Sequence, residues 1–118
     1  MSRIKRRILR ELVHTNKVPC AYCGKIETDI NHITVDHITP LSSRGVDTTN
    51  NYIVCCAKCN SRKDRMSFAK WIKKIDVCNI INYLVVINDF IPRRDYYYHL
   101  FSNNSIPHEL KLLMEEAV

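Results

Sequence analysis

The stretch NYIVCCAKCNSRK, residues 51–63, changes character halfway along. NYIVCC is rich in residues that favour a pleated strand, whereas Asn60 and Ser61 are good helix-capping types, so a helix is expected to begin there. Between the two lies a C-x-x-C pair, Cys56 and Cys59, and a second pair, Cys20 and Cys23 of CAYC, stands upstream. A C-x-x-C turn brings two thiolates onto one metal, and two such turns complete a closed tetrahedral zinc shell with no open position for catalysis. The spacing favours structural zinc over disulfides or free thiols. Cys55 would point the other way from Cys56 along a strand and is read as core. Cys78 lies outside the pattern and is read as a buried apolar residue.

Thirty-two residues separate Cys23 from Cys56, against ~15–20 in a simple zinc ribbon. Something is therefore inserted between the knuckles. The insertion holds TVDHITPL, residues 34–41, where Asp36 and His37 interrupt an apolar, β-branched run. HITVDHI reads as a strand that Pro40 ends, because proline cannot donate to a sheet ladder. SSRGVDTTN is a turn-rich loop, so the two strands are expected to pair antiparallel. An acid and a histidine side by side either close a strand end in solvent or form a working site that the strand holds.

Outside this region, Ile4, Ile8 and Leu12 recur at four-residue spacing with Leu9 and Val13 alongside, which predicts an amphipathic helix over 2–14 capped by Ser2. Arg3, Arg6, Arg7 and Arg10 take its other faces. Phe68, Trp71, Ile72 and Ile75 share one face of the helix expected from Asn60 onward. NIINYLVVINDFI fits a buried helix or a strand equally, since periodicity does not separate them. PRRDYYYHLF and SIPHELKLLMEEAV read as helices, and Tyr96, Tyr97 and Tyr98 as packing residues rather than base-stacking ones. The expectation is one domain: a basic N-terminal helix over 1–16, a core over 17–75, and an extension over 76–118 serving specificity or assembly.

Charge divides the chain unevenly. Residues 1–75 carry fifteen Lys or Arg against six Asp or Glu, a net of +9, while residues 76–118 carry three against six, a net of −3. A basic first part suits a polyanion, although a generally basic surface gives the same count. No apolar run is long enough to span a bilayer, and the basic N-terminus lacks the apolar run and cleavage site of a secretory signal. An intracellular protein is expected, in a bacterial cytoplasm or a phage-infected host.

CAYC, VDHITPL, NYIVCCAKC and CNSRK together resemble the HNH nucleases of the ββα-metal group, in the subset braced by two C-x-x-C turns. The resemblance covers residues 20–63. It implies an α+β fold with a small ββα-metal core, two zinc knuckles, an N-terminal helix and a mainly helical C-terminal extension. It further implies that Asp36 and Asn60 hold a catalytic Mg²⁺ or Mn²⁺, that His37 is the general base, and that Asn51 ties the loop and helps fix His37. The family pattern places that Asn five residues before the third zinc cysteine, which selects Asn51 over Asn50. Position 60 is Asn where the last letter of HNH would be His, the HNN form, and this favours a hard metal.

The chemistry of the residues agrees. His37 can take a proton from water near neutral pH, and one carboxylate with one amide leaves most of a Mg²⁺ octahedron to water and substrate. The reading is a metal-dependent endonuclease hydrolysing phosphodiester bonds in DNA, with RNA also open. Lys63, Arg62, Arg65, Arg3, Arg6 and Arg7 are its nucleic-acid-binding candidates. The alternative is a zinc-braced nucleic-acid-binding or complex-docking module without catalysis. Asn51 and Asn60 then become turn and cap residues, and Lys63 and Arg65 solvated surface. In either reading His32 is a solvent-facing strand-edge residue rather than an extra ligand. A homodimer, or a larger phage, restriction or packaging complex, fits either reading.

Overall fold

The computed structural model describes residues 3–38, 40–44, 52–87 and 89–90. Among these the chain forms α1 (Arg3–Thr15), β1 (Ile33–His37), β2 (Tyr52–Cys56), α2 (Ala57–Lys63), α3 (Phe68–Trp71) and α4 (Cys78–Ile87). The class is α+β, as expected. Asn51, the loop beyond Arg44 and the helices expected over 92–101 and 105–118 lie outside the described residues.

β1 and β2 pair antiparallel, with Thr34 opposite Cys55, Asp36 opposite Ile53 and His37 opposite Tyr52. Directly opposed residues share a face. Thr34, Asp36, Ile53 and Cys55 therefore line one side, and Ile33, Val35, His37, Tyr52, Val54 and Cys56 the other. A two-stranded sheet has two open edges whose backbone groups need partners. On the β2 edge, the Val54 amide donates to the Tyr83 hydroxyl (3.2 Å) and the Val54 carbonyl accepts from the Ala21 amide (3.4 Å). On the β1 edge, Arg10 donates from Nε to the Ile33 carbonyl (2.7 Å) and from Nη2 to the Ile30 carbonyl (2.6 Å). Arg10 thus anchors α1 to the sheet rather than standing free for a phosphate.

That anchor also sets the rotation of α1. Leu9 and Val13 are buried and Leu12 is partly so, whereas Ile8 is 52% exposed. The expected stripe through Ile8 is displaced by one position, because the guanidinium on Arg10 has to reach two carbonyls of the neighbouring segment.

The helix expected from Asn60 begins earlier and is broken. α2 starts at Ala57, capped by the Cys56 thiol, which accepts from the Cys59 amide. The second C-x-x-C turn is itself the cap, so neither Asn60 nor Ser61 fills that role. α2 ends at Asp64, whose φ is +50°, and Ser67 then caps α3 by accepting from the Lys70 amide. Phe68, Trp71 and Ile72 are buried as anticipated. The ambiguous apolar stretch resolves as α4, with Ile80, Tyr83, Leu84 and Ile87 buried at helical spacing. Cys78, expected in the core, is exposed at the start of α4. No helix among the described residues is long and apolar enough to cross a membrane.

Gly24 closes the first knuckle with φ +76°, and a Cβ built there meets Asn79 Oδ1 at 2.5 Å. Asn79 is held in place by donating to the Tyr22 carbonyl (2.9 Å). An Ala at 24 suffers both the left-handed backbone and that contact, so Gly24→Ala should lower the unfolding free energy by more than about 1 kcal/mol. Urea unfolding of the two proteins tests this, and equal midpoints would contradict it.

Candidate functional site

Two centres are built on this frame. In the first, Cys20, Cys23, Cys56 and Cys59 bring their sulfurs within 4.8 Å of one another. Cys23 Sγ and Cys56 Sγ are 3.9 Å apart, close to the separation of about 3.8 Å between two thiolates on one tetrahedral zinc with bonds of ~2.3 Å. Backbone amides point at the same sulfurs: Tyr22 and Cys56 donate to Cys20 Sγ (3.4 and 3.3 Å), and Cys59 donates to Cys56 Sγ (3.4 Å). Such bonds fix ligand orientation and share thiolate charge. Burial pushes the Cys20 thiol up to about 11, and burial together with the charge of Cys20 pushes Cys59 higher still. Burial acts on Cys56 too, but hydrogen bonds from Cys59, Cys20 and Cys23 outweigh it and lower its thiol. One favoured thiolate beside two thiols that ionise readily only against a bound cation is a donor set that fits structural zinc. Cys55 is buried on the opposite face, where the Thr34 hydroxyl donates to its carbonyl (3.1 Å).

The second centre lies between β1 and α2. Asn60 and Lys63 are one turn apart on α2 and meet Thr34 and Asp36, which share a face of β1 about 6.6 Å apart along the strand. The first rung is Asn60 Nδ2 donating to Thr34 Oγ1 (3.1 Å). Because the Thr34 hydroxyl places its own proton on the Cys55 carbonyl, it can only accept from Asn60. That fixes the amide with its nitrogen on Thr34 and leaves the oxygen as the end able to bind a cation. The second rung is the Lys63 ammonium on Asp36 Oδ2 (3.0 Å). Lys63 also donates to the His37 carbonyl (3.0 Å), and the Tyr22 hydroxyl donates to the same Asp36 Oδ2 (2.7 Å). Oδ2 is thereby occupied twice. Tyr22 stays protonated, since burial and the Asp36 charge push it well above the usual phenol range.

His37 follows Asp36 at the end of β1 but takes the other face of the strand. Its ring stands edge-on to Tyr52, centroids 5.5 Å apart. Burial lowers its pKa, and the charges of Arg6 and Lys63 add to that against the opposing pull of Asp36. The imidazole is therefore neutral near pH 7, the form that accepts a proton. A cleft of about 370 Å³ runs along α1 and β1, lined by Arg6, Arg10, Asn31, Thr34, Val35 and Asn60.

Of the residues singled out in the sequence, Asp36, Asn60 and Lys63 are brought onto one side of β1, with His37 adjacent. Lys63 is 1% exposed and paired with Asp36, an interior placement that the sequence alone left as surface or phosphate contact. Arg6, Arg7, Arg62 and Arg65 are exposed. Arg7 lies 3.8 Å from Glu11, and Arg62 sits over the Trp71 ring at 5.9 Å. His32 ends a 3₁₀ turn before β1, 3.8 Å from Asp29. The side chain of Arg3, like Asn51, is outside the described residues. Tyr22 was missed: its only sequence signal is an aromatic residue between the two cysteines of a knuckle, where spacing rules are silent.

Residues 20–76 match the HNH endonuclease family. Over 66 residues, 55% of the chain, the sequence is 35% identical to the CRISPR-associated endonuclease Cas9 of Corynebacterium diphtheriae. The matched stretch is 6% of that protein's length, so the likeness is to one segment of a far larger chain.

Two outcomes follow from the two centres. Cys20→Ser or Cys56→Ser should unfold the domain rather than merely slow it, because structural zinc binding is largely folding free energy. Circular dichroism and zinc analysis check this, and a well-folded, zinc-free Cys20→Ser protein would refute the four-cysteine assignment. Lys63→Met leaves a buried carboxylate without its counter-charge and should cost about 3–5 kcal/mol of stability. A urea midpoint unchanged from the wild type would show that the pair is not held in the interior.

Proposed function

We propose that the domain is a metal-dependent endonuclease that hydrolyses phosphodiester bonds in DNA. The observation that supports this reading is the pair of α2–β1 rungs, Asn60 on Thr34 and Lys63 on Asp36, which sets Asp36 and Asn60 on one side of β1. In this reading the second oxygen of Asp36 and the amide oxygen of Asn60 are the cation's ligands. One carboxylate and one amide are hard oxygen donors suited to Mg²⁺ or Mn²⁺. A divalent ion held there would stabilise charge on the phosphoryl oxygens and on the departing 3′ oxygen. His37, neutral and next to Asp36, takes the proton from the attacking water as the new phosphorus–oxygen bond forms and the bond to the 3′ oxygen breaks. Asn51, to which the family resemblance gives the role of tying the loop, would help fix His37.

Phosphate contacts fall to the exposed cations. Arg6 lines the cleft beside Asn60, and Arg62 and Arg65 follow Asn60 on the same stretch of chain. Arg3 and Arg7 extend the basic series along α1, and the net charge of +9 over residues 1–75 supports a nucleic-acid partner. Lys63, buried on Asp36, serves the acid rather than the phosphate. Residues 17–75 are the catalytic unit in this reading, and 76–118 serve specificity or assembly.

Supercoiled-plasmid cleavage with Mg²⁺, Mn²⁺ or EDTA, wild type beside His37→Ala, is the decisive assay. Nicking that requires metal and falls by about 10²-fold or more in His37→Ala is expected for a lost general base. An absence of cleavage by folded, zinc-loaded protein in every metal would favour the binding-module reading.

A further inference from the structure

The acid between the two centres is gripped from three directions, and only one of them belongs to the active-site helix. Lys63 reaches Asp36 Oδ2 from α2, the strand supplies the carboxylate, and the third element is the zinc knuckle through Tyr22. Tyr22 is 1% exposed. Its amide donates to Cys20 Sγ (3.4 Å), and its carbonyl accepts from Asn79 of α4 (2.9 Å). Its ring stands edge-on to Trp71 of α3, centroids 5.3 Å apart. Backbone and ring are thus fixed at both ends, and the hydroxyl has one position.

We propose that Tyr22 is a positioning residue that transmits the geometry of the zinc knuckle to Asp36, holding Oδ2 so that Oδ1 alone is presented to the divalent cation. This rests on the reading of Asp36 as a ligand of that cation. A carboxylate that binds a metal through one oxygen is free to rotate unless its other oxygen is held. Partners of this kind are worth about 10- to 100-fold in metal affinity or activity. Lys63 cannot do the task unaided, because an ammonium on a flexible four-carbon stem fixes charge but little direction. A phenol on a rigid ring held by the knuckle fixes direction. The arrangement makes the zinc site more than a brace: it becomes the reference point for the second metal site some residues away in sequence and on a different element.

The test compares zinc-loaded wild type, Tyr22→Phe and Asp36→Asn by Mn²⁺ titration, with free Mn²⁺ read by electron paramagnetic resonance. Zinc content and urea midpoint are measured on the same samples. Phe keeps the ring against Trp71 and removes only the hydroxyl. Tyr22→Phe is expected to keep its zinc and its fold while its Mn²⁺ dissociation constant rises about tenfold or more. In plasmid nicking its half-saturating Mg²⁺ should rise in the same proportion, with a smaller change in the rate at saturating metal. A Mn²⁺ affinity within twofold of the wild type, while Asp36→Asn loses Mn²⁺, would overturn the role of Tyr22 and leave Asp36 as ligand. Wild-type Mn²⁺ binding by Asp36→Asn, or none by the wild type itself, would overturn both readings. Loss of zinc or fold in Tyr22→Phe would make the hydroxyl a structural group and likewise overturn the proposal.

Discussion

Everything in this domain depends on four sulfurs meeting across a gap of thirty-two residues. A sheet of only two strands is marginal by itself and has to be fixed by what its ends are tied to. Joining Cys20 and Cys23 to Cys56 and Cys59 closes the loop that contains β1 and fixes where β2 ends and α2 begins. The cap of α2 is the Cys56 thiol, so helix, strand end and cysteine cluster are a single local structure. Remove Cys56 and the helix loses its cap as well as its tie to the other three sulfurs.

From that fixed start α2 can lay Asn60 and Lys63 along β1 in step with Thr34 and Asp36. The result is an interior acid whose charge is balanced by a lysine and whose orientation is held by a tyrosine. Buried ion pairs seldom add much stability over a well-packed apolar alternative, because desolvation offsets attraction. Their retention here makes sense as a device for orientation. Two partners saturate one carboxylate oxygen, and the hydroxyl of Thr34 turns the Asn60 amide so that its oxygen is available. Two hard oxygens are thereby prepared on one side of the strand, with a neutral imidazole next along the chain.

Much of this was legible along the chain. The C-x-x-C pairs carry their meaning in identity and spacing, and both strands were placed to within a residue. What was misread shares a cause. The helix start at Ala57 was hidden because cysteine is a poor generic cap and became one only through its knuckle. The break at Asp64 depends on a left-handed residue with no glycine to announce it. Ile8 and Cys78 were assigned to the core by hydrophobicity, yet the Arg10 anchor turned one outward and the position at the head of α4 exposed the other.

The sequence by itself determined the four-cysteine cluster, the α+β class and the strand pair, because residue type and short-range spacing are local properties. Only the tertiary structure decided what the side chains face. That Lys63 lies inside on Asp36, that Arg10 is spent on backbone carbonyls and that Tyr22 spans from knuckle to carboxylate all depend on residues 14 to 27 positions apart. Contacts at that range are set by how knuckle, strand and helix pack, and no periodicity along the chain records them.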